Sequence, residues 1–417
     1  MRKLGILLLA AFVTACGGGG DGPDVPQADT SACSIDGQKQ FVLDNLYAWY
    51  LWNEILPANI DIADYATPEE LAVEVTTTFG PQDANGGPLD RFSSVGSLQA
   101  DQDFFGEGKF EGFGFSWRFT DQLQTEFTII RNFAGSPADQ GGLARGRKVL
   151  SLNRRSIADI TGNEGVNAFF AANDTIDFEI QPLIGDVFIA SISKDIVTIN
   201  PVPQWRIIDA GNGRNVGYLE LATFISTADQ AFDDAFTAFN NANISEVILD
   251  LRYNGGGLVS VANLLGNYLG GFVSDGLVFS NTEFNADRVD ENGSTLFDNI
   301  VGRSLTLSQL IVIASRGTAS ASELVTNGMI PHVSVGIVGD RTFGKPVGQV
   351  GLEFCEKILR PTSFRVANAL GDGDYFDGLP VDCATVDDLT VALGDDLDPN
   401  IVAAMSFLDT GACPVAI

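Results

Sequence analysis

Between about residues 205 and 350 the sequence alternates short, fully apolar segments with amphipathic ones. Residues 228–240 carry apolar side chains at helical spacing, whereas residues 247–251 form an apolar strand that ends just before the glycine run 255–257. Strands that alternate with helices indicate βαβ units, so the sequence predicts an α/β core. Its strands are predicted at residues 216–221, 247–251, 310–314 and 334–338, and its helices at residues 228–240, from Val259 onward and from Ser320 onward.

The segments that precede this core have other periodicities. Phe41, Leu46 and Tyr50 recur at helical spacing, and Pro68 opens a second predicted helix. From about residue 104 the pattern changes to that of strands. At 417 residues the chain exceeds one ordinary domain. We therefore predict a helical domain over 33–103, a β domain over 104–195, and the core with a C-terminal segment over 196–417.

The composition excludes two classes of partner. The chain has 24 Lys and Arg against 54 Asp and Glu, a formal net charge of −30. A surface this acidic does not attract nucleic acid or anionic membranes through its charge, and we interpret the acidity as a source of solubility. No nucleic-acid partner is expected.

The first 15 residues have the pattern of a targeting segment. Arg2 and Lys3 precede about ten nearly all apolar residues, too few for a bilayer-spanning helix, which needs roughly 20. Residues 13–16, Val-Thr-Ala-Cys, resemble a bacterial lipobox, with cleavage before Cys16 and lipid on its sulfur. We expect a lipoprotein signal peptide over 1–15 and a flexible tether over 16–32. An ordinary secretory signal with an accidental Cys16 is the alternative.

This interpretation places the protein in the cell envelope, lipid-anchored on the periplasmic side. Asp21 does not directly follow Cys16, and by resemblance to lipoproteins this favours the outer membrane over the inner.

Four further cysteines fit two disulfides, since exported chains with an even count usually pair them. Three pairings are possible. Cys355 and Cys383 flank a hairpin-like region, and Cys33 and Cys413 lie at the two ends of the folded part, so we favour these two pairs. No Cys-x2-Cys spacing or histidine partner accompanies them, so no metal site is expected.

Ser320 has two interpretations. With Glu323 it forms the Ser-x-x-Glu pattern of a helix capping box, which alone favours a structural cap. A serine at a helix N-terminus is also placed where developing negative charge is stabilised, and the Ala321 N–H is suited to an oxyanion. The whole chain has one histidine, His332. A nucleophilic Ser320 would therefore need another base, and a lysine kept neutral by burial is the remaining choice near neutral pH.

The segment around Lys345 matches most of a nucleotide-binding P-loop. Gly339 is followed five residues later by Gly344-Lys345, but Pro346 stands where the motif needs Ser or Thr for magnesium. Proline also lacks an N–H that would hold phosphate. A phosphate-binding loop is rejected.

Several motifs together resemble the C-terminal processing (tail-specific) serine peptidases. Ser320-Ala-Ser-Glu is followed 25 residues later by Lys345 and then, four residues on, by Gln349. The segments 250–257 (Asp-Leu-Arg-Tyr-Asn-Gly-Gly-Gly) and 378–382 (Gly-Leu-Pro-Val-Asp) match two further motifs of that family. The resemblance covers roughly residues 35–410. It implies a crotonase-like ββα peptidase core, an N-terminal helical segment and an inserted PDZ-like β domain.

The resemblance also implies a role for each site residue. Ser320 would attack the scissile carbonyl, neutral Lys345 would take its proton, and Gln349 would orient the lysine amine. The N–H groups of Gly257 and Ala321 would hold the oxyanion. No organic cofactor is implied, and His332 is expected to be structural or at the surface. An ordinary surface lysine is the alternative for Lys345.

The order of motifs over 104–195 is similar to a PDZ domain of the bacterial protease type. Such a domain offers backbone N–H groups to a peptide's terminal carboxylate, and the peptide adds as a strand. Arg147 follows Gly146 where these domains usually have an acid, so a spacer without peptide binding stays open. The predicted peptide-binding residues are Gly112, Phe113, Gly114 and Phe115.

Taken together, the sequence predicts a serine endopeptidase with a Ser-Lys dyad that cleaves protein substrates near their C-termini. One alternative is a non-catalytic lipoprotein on the same fold that binds peptides or hydrophobic ligands. The presence of Ser320, Lys345 and Gln349 argues against it, because a binding protein has no chemical reason to keep all three. A crotonase-like acyl-thioester enzyme is the other, and export disfavours it because thioester substrates are intracellular.

Overall fold

The computed structural model describes residues 32–413. The chain begins with a helical unit in which Ser34 and Thr67 cap the first turns of two helices through their side-chain oxygens. Leu43, Leu46, Leu71 and Val75 face each other and are buried. The elements of this unit are α1 (Ile35–Trp49), α2 (Pro68–Phe79), β1 (Ser94–Ser97) and α3 (Leu98–Gln102).

An inserted β unit follows. Its main sheet runs β3-β4-β5-β7-β8, with β6 paired to β5, and its remaining two strands, β2 and β9, pair with each other. Because β3 ends the sheet path, one of its edges has no strand partner within the described residues. The elements are β2 (Lys109–Gly112), β3 (Phe115–Phe119), β4 (Phe127–Asn132), α4 (Pro137–Gln140), β5 (Lys148–Leu152), β6 (Arg155–Ser156), α5 (Ile157–Asn163), α6 (Val166–Ala172), β7 (Thr175–Gln181), β8 (Phe188–Ser193) and β9 (Asp195–Thr198).

The rest of the chain builds a larger core around a six-stranded sheet and carries two smaller sheets. The elements are β10 (Gln204–Asp209), β11 (Asn215–Glu220), α7 (Asp229–Asn241), β12 (Glu246–Asp250), α8 (Val259–Ser274), β13 (Val278–Phe284), β14 (Gly293–Leu296), β15 (Gln309–Ala314), α9 (Ala321–Met329), β16 (Ser334–Gly339), β17 (Val347–Gln349), β18 (Leu352–Phe354), β19 (Lys357–Arg360), β20 (Thr362–Ala367), β21 (Cys383–Ala384) and α10 (Pro399–Thr410).

The six-stranded sheet has the order β10-β11-β12-β15-β16-β21. All its pairs are parallel except β10 with β11. Helices α7, α8 and α9 bury one face of this sheet and α10 buries the other, which explains why its central strands are apolar throughout rather than alternating. The predicted α/β fold with a helical N-terminal segment is confirmed.

The smaller sheets connect the helical unit to the core. Strand β1 pairs with β19, which also pairs with β18, while the other sheet has the order β14-β13-β20-β17. The β18–β19 hairpin therefore leaves the core and packs on the first helices, where Phe41 stacks on Phe354 with ring centroids 4.5 Å apart.

The disulfide pairing differs from the favoured one. Cys33 bonds to Cys355, with Cα atoms 5.9 Å apart, and Cys383 bonds to Cys413, with Cα atoms 5.4 Å apart. The predicted pairs Cys33–Cys413 and Cys355–Cys383 are wrong. Cys355 lies in the turn of the β18–β19 hairpin, which reaches the start of α1. Cys383 lies on an edge strand under α10, and Cys413 follows the end of that helix.

Buried ion pairs join the inserted β unit to the core. Arg131 on β4 pairs with Glu220 on β11 at 2.8 Å, and Arg145 pairs with Asp387 at 2.5 Å. Burial raises the pKa of Glu220 although Arg131 opposes the shift. These contacts hold the inserted unit beside the loop that follows β12. No helix within residues 32–413 is long and apolar enough to cross a membrane, and the predicted signal peptide and Cys16 lie outside the described residues.

Candidate active site

Ser320 lies at a strand–turn–helix junction, between β15 and α9. The Thr318 hydroxyl donates to the Leu251 carbonyl at 2.7 Å, and the Ala319 N–H donates to the Asn254 carbonyl at 3.0 Å. These bonds fix the turn against the end of β12. Ser320 itself has φ +56° and ψ −115°, a conformation that costs a non-glycine residue about 1–3 kcal/mol and is concentrated at functional sites.

Glu323 connects Ser320 to the loop of Lys345. Its Oε2 accepts the Ser320 N–H at 2.9 Å, as a capping box requires, and also the Lys345 N–H at 2.8 Å. Its Oε1 accepts the Gly344 N–H at 2.7 Å and the Thr342 hydroxyl at 2.5 Å. Burial raises the pKa of Glu323, and these hydrogen bonds oppose the rise. The N–H groups of the apparent P-loop therefore bind a carboxylate of the protein.

Lys345 extends into a partly buried site. Its Nζ donates to Gln349 Oε1 at 2.7 Å and lies 4.9 Å from the centre of the Phe92 ring. Burial lowers the pKa of Lys345 to about 8, assisted by Arg360 and opposed by the carboxylates of Asp90 and Glu323. A substantial fraction of this amine is neutral near pH 8, unlike that of an ordinary surface lysine.

Gln349 is held in one orientation. Its Nε2 donates to the carbonyls of Phe92 and Arg360, each at 2.8 Å. Because only the amide nitrogen can donate, the amide oxygen is directed to Lys345. The structure thus brings together Lys345 and Gln349 as predicted, and adds Phe92 and Arg360 as residues that hold them.

The glycine loop 255–257 packs directly on Ser320. A Cβ on Gly256 would lie 2.8 Å from the Ser320 Cβ and 2.9 Å from the Ala321 nitrogen, so no larger residue fits without movement. The Gly256 carbonyl accepts the Phe224 N–H at 2.9 Å and the Thr223 hydroxyl at 3.2 Å. Among the hydrogen bonds of residues 32–413, none is donated by the N–H of Gly257 or of Ala321. Both are therefore available to an oxyanion.

A cavity of about 400 Å³ opens between the glycine loop and the inserted β unit. Six of its thirteen lining residues are aromatic, so the space beside the glycine loop suits an apolar side chain. The lining includes Phe104, Phe105, Phe110, Phe115, Phe133 and Gly257.

The predicted peptide-binding loop lies at the start of β3. Gly114 has φ +86°, and a Cβ there would lie 2.2 Å from the Ser136 Cβ, which explains the glycine. Phe113 is buried, and the N–H groups of Phe113 and Gly114 donate no hydrogen bond within the described residues. Arg147 does not face this loop's N–H groups; it donates to the Gly142 carbonyl at 2.8 Å.

His332 follows the opposite end of α9 from Ser320. Its Nε2 is 2.8 Å from the Val278 carbonyl oxygen, and its ring packs edge-on to Phe297. These contacts are those of a structural residue. Within residues 32–413 no group of three or more His, Cys, Asp or Glu side chains is arranged to hold a metal ion.

Sequence reasoning missed Phe92 and Arg360, and it saw Glu323 only as a cap. Phe92 and Gln349 are 257 residues apart. No local pattern reports a contact of this length.

Comparison with known proteins agrees with the fold. The model of "Peptidase family S41" matches residues 215–372, and that of "Peptidase S41 N-terminal domain" matches residues 37–94. A crystal structure of a putative S41 protease from Bacteroides fragilis covers 88% of this chain and 97% of its own, with a TM-score of 0.68 and 22% identity. The match to the photosystem II D1 C-terminal processing protease covers 91% of this chain and 99% of that protein's chain, with a TM-score of 0.56 and 18% identity.

Curated relatives each match more than half of the chain. The carboxy-terminal processing protease CtpA of Bacillus subtilis is 25% identical over 247 residues, which cover 59% of this chain and 49% of the relative. The carboxyl-terminal-processing protease of Synechocystis is 26% identical over 234 residues, which cover 54% and 50%. The chain spans about half the length of the curated relatives it matches.

The fold is thus that of the S41 protease structures, an α/β core with an N-terminal helical segment. The two family matches together span a little more than half of the sequence, and they contain Ser320, Lys345, Gln349 and Phe92. The chain belongs to peptidase family S41.

Proposed function

We propose that this protein is a serine endopeptidase that uses a Ser320–Lys345 dyad to cleave protein substrates near their C-termini in the cell envelope. The observation that carries the proposal is the state of Lys345. Its amine is partly buried, its pKa is lowered to about 8, and its loop shares a carboxylate oxygen with the backbone of Ser320. An amine that is readily neutral, on a loop tied through Glu323 to a strained serine, fits the needs of nucleophilic catalysis.

The chemistry follows from these groups. Ser320 Oγ attacks the scissile carbonyl while its proton passes to neutral Lys345 Nζ. The oxygen that becomes negative accepts hydrogen bonds from Gly257 N–H and Ala321 N–H, each worth about 3 kcal/mol in comparable enzymes. Collapse expels the amine, which takes the proton from the Lys345 ammonium. Water, deprotonated by Lys345, then releases the acyl group and restores the serine.

Gln349 supports the base in this scheme. Because its amide nitrogen is fully engaged, Oε1 holds one N–H of Lys345 and leaves the lone pair of the neutral amine for the serine proton. Gln349 is therefore a positioning residue.

The inserted β unit is suited to select the substrate. In a PDZ-like mode the loop 112–115 would bind the terminal carboxylate through its free N–H groups, and the chain would add along the open edge of β3. The aromatic cavity between β3 and the glycine loop would accept an apolar side chain near the scissile bond. The matched relatives from B. subtilis and Synechocystis are named carboxy-terminal processing proteases, which supports cleavage close to the substrate's C-terminus.

The lipobox-like segment supports a location in the envelope. Lipid on Cys16 would anchor the protein on the periplasmic side, with the outer membrane favoured. Labelling with radioactive palmitate tests this: Cys16→Ser should lose both the label and membrane association, and continued labelling would rule out the lipobox.

The dyad is tested with the purified full chain and a mixture of unfolded proteins, with cleavage sites mapped by mass spectrometry. Ser320→Ala should abolish cleavage and Lys345→Ala should nearly do so, whereas Ser334→Ala on the exposed end of β16 and His332→Ala should retain most of it. Equal activity in Ser320→Ala and parent would sink the assignment, and a parent that cleaves nothing would leave a binding protein. A folded but inactive His332→Ala would overturn the lysine base.

A further inference from the structure

A turn of the N-terminal helical unit, residues 90–93, reaches into the active site of the core. Its Phe92 carbonyl accepts the Gln349 amide at 2.8 Å, and its Phe92 ring lies 4.9 Å from Lys345 Nζ. Both contacts join the helical unit to residues of the β17 segment. The dyad and its glutamine are therefore not contained in the core alone.

Asp90 builds this turn. It is fully buried, and its Oδ1 accepts the Phe92 N–H at 2.9 Å and the Ser93 N–H at 3.1 Å. Its Oδ2 accepts the Ser93 hydroxyl at 2.6 Å. A carboxylate with several backbone donors is an effective clamp, because bonds to a charged acceptor are stronger than neutral ones.

The same carboxylate joins the turn to the core. Thr362 on β20 donates its hydroxyl to Asp90 Oδ1 at 2.9 Å and its N–H to Ser93 Oγ at 2.9 Å. Because Asp90 fixes the N–H groups of both Phe92 and Ser93, the peptide that carries the Phe92 carbonyl has little freedom to rotate. That carbonyl in turn holds the amide of Gln349.

The Phe92 ring has a separate effect on Lys345. It covers the amine on one side and excludes water there, which favours the neutral form. The charged groups that also face this amine are Asp90 from the turn, Glu323 from α9 and Arg360 from β19. The two carboxylates favour the ammonium form of Lys345, whereas Arg360 disfavours it. Arg360 is itself paired with Asp101, its Nε lying 2.7 Å from Asp101 Oδ1.

We propose that the turn 90–93 is a positioning element of the active site, in which Phe92 orients Gln349 through its carbonyl and shields Lys345 from water through its ring. The inference rests on the proposed function, since it requires Lys345 to act as a base. It assigns to the helical unit a part in catalysis: without this turn the serine would be present but its base would be hydrated and free to reorient.

The ring is tested by the pH dependence of kcat/KM in Phe92→Ala. Water that enters beside Lys345 should move the midpoint of the activity rise upward by about one pH unit. The rate near pH 8 should then fall about fivefold. Near pH 10 the rate should approach that of the parent, because Lys345 is then mostly neutral in both proteins. An unchanged or lowered midpoint in a folded Phe92→Ala enzyme overturns the shielding role; a lowered one would mean that the ring mainly stabilises the ammonium.

Phe41→Ala is the matched control. Phe41 also packs the helical unit on the hairpin, against Phe354, but the contact does not involve Lys345. It should lower the thermal midpoint of unfolding without moving the pH midpoint. If both variants move the pH midpoint equally, general loosening of the helical unit explains the effect and the inference fails.

A substitution at Asp90 should move the pH midpoint of activity in the opposite direction. Asp90→Asn keeps Oδ1 as acceptor for the Phe92, Ser93 and Thr362 donors but removes a negative charge that favours the ammonium. Its pH midpoint should therefore move downward while its rate at alkaline pH stays close to the parent. Asp90→Ala removes the acceptors, and kcat should fall about tenfold or more with little change in KM. An Asp90→Asn enzyme as impaired as Asp90→Ala would overturn the positioning role.

Labelling of Lys345 separates this inference from the proposed function. In a Ser320→Ala background, the pH dependence of Lys345 modification by an amine-reactive reagent, measured on its peptide by mass spectrometry, reports protonation without turnover. Adding Phe92→Ala should move that midpoint upward. No shift in an inactive Ser320→Ala protein refutes the inference alone, whereas proteolysis that survives Ser320→Ala refutes the proposed function alone.

Discussion

Ser320 and Lys345 donate their backbone N–H groups to the same oxygen atom, Oε2 of Glu323, at 2.9 and 2.8 Å. The start of α9 and the loop after β16 are therefore held at a fixed separation by one buried carboxylate. Under the proposed function, Glu323 would therefore align the serine and its lysine base without a direct contact between the two. A change at Glu323 should consequently affect both.

Glu323→Gln should cost both stability and activity. An amide nitrogen would face at least one backbone N–H that the carboxylate now accepts, leaving a buried donor unpaired at about 1–3 kcal/mol. Chemical denaturation should show that loss in the free energy of unfolding, together with a large drop in kcat. Glu356→Gln, at an exposed site, serves as the control and should change neither. Parent-like kcat in Glu323→Gln would contradict the alignment role.

The pH dependence of kcat/KM should show the ionisation of a lysine. Since the base must be neutral and the pKa of Lys345 is about 8, kcat/KM should rise with pH through a midpoint near 8 and level off above it. Steady-state kinetics over pH 6 to 10, with folding checked at each pH by circular dichroism, measures this. A midpoint near the usual histidine value would instead indicate His332, which lies past the far end of α9.

Two adjacent glycines should respond differently to alanine. Gly256 has φ +101°, and an added Cβ would lie 2.8 Å from the Ser320 Cβ, so Gly256→Ala must shift the loop or the serine. We expect at least a hundredfold loss of kcat, comparable to losing an oxyanion donor. Gly255 has open space at its Cβ and no positive φ, and Gly255→Ala should lose much less. Equal losses would show that loop flexibility, and not contact with Ser320, is what matters.

The two disulfides can be identified chemically. A non-reduced digest should contain a peptide pair joined through Cys33 and Cys355 and another through Cys383 and Cys413. Removing the first bond with Cys33→Ser and Cys355→Ser should destabilise the protein by about 2–5 kcal/mol, because it frees a long loop in the unfolded chain. The same measurement on Cys383→Ser with Cys413→Ser, which closes a shorter loop, should give a smaller loss. A digest with Cys33 joined to Cys413 would restore the pairing that the sequence favoured.

The core was predictable because its signals are local. The apolar runs that became β11, β12, β15 and β16 identified the central sheet, and the spacing of Ser320, Lys345 and Gln349 indicated the candidate site. The disulfide pairing was not predictable, because nothing in the hairpin sequence indicates that it leaves the core to meet α1. Likewise Phe92 was missed because a backbone carbonyl and a covering ring have no motif, and its partner lies 257 residues away.

That separation has a consequence for the time at which the protein becomes active. Contacts between such distant parts of a chain carry the largest loop-closure cost and form late in folding. A growing or partly folded chain can contain Ser320 and its helix while Lys345 is still hydrated and protonated. In the proposed mechanism Lys345 would therefore become a working base only after the turn 90–93 has met the segment that carries Gln349.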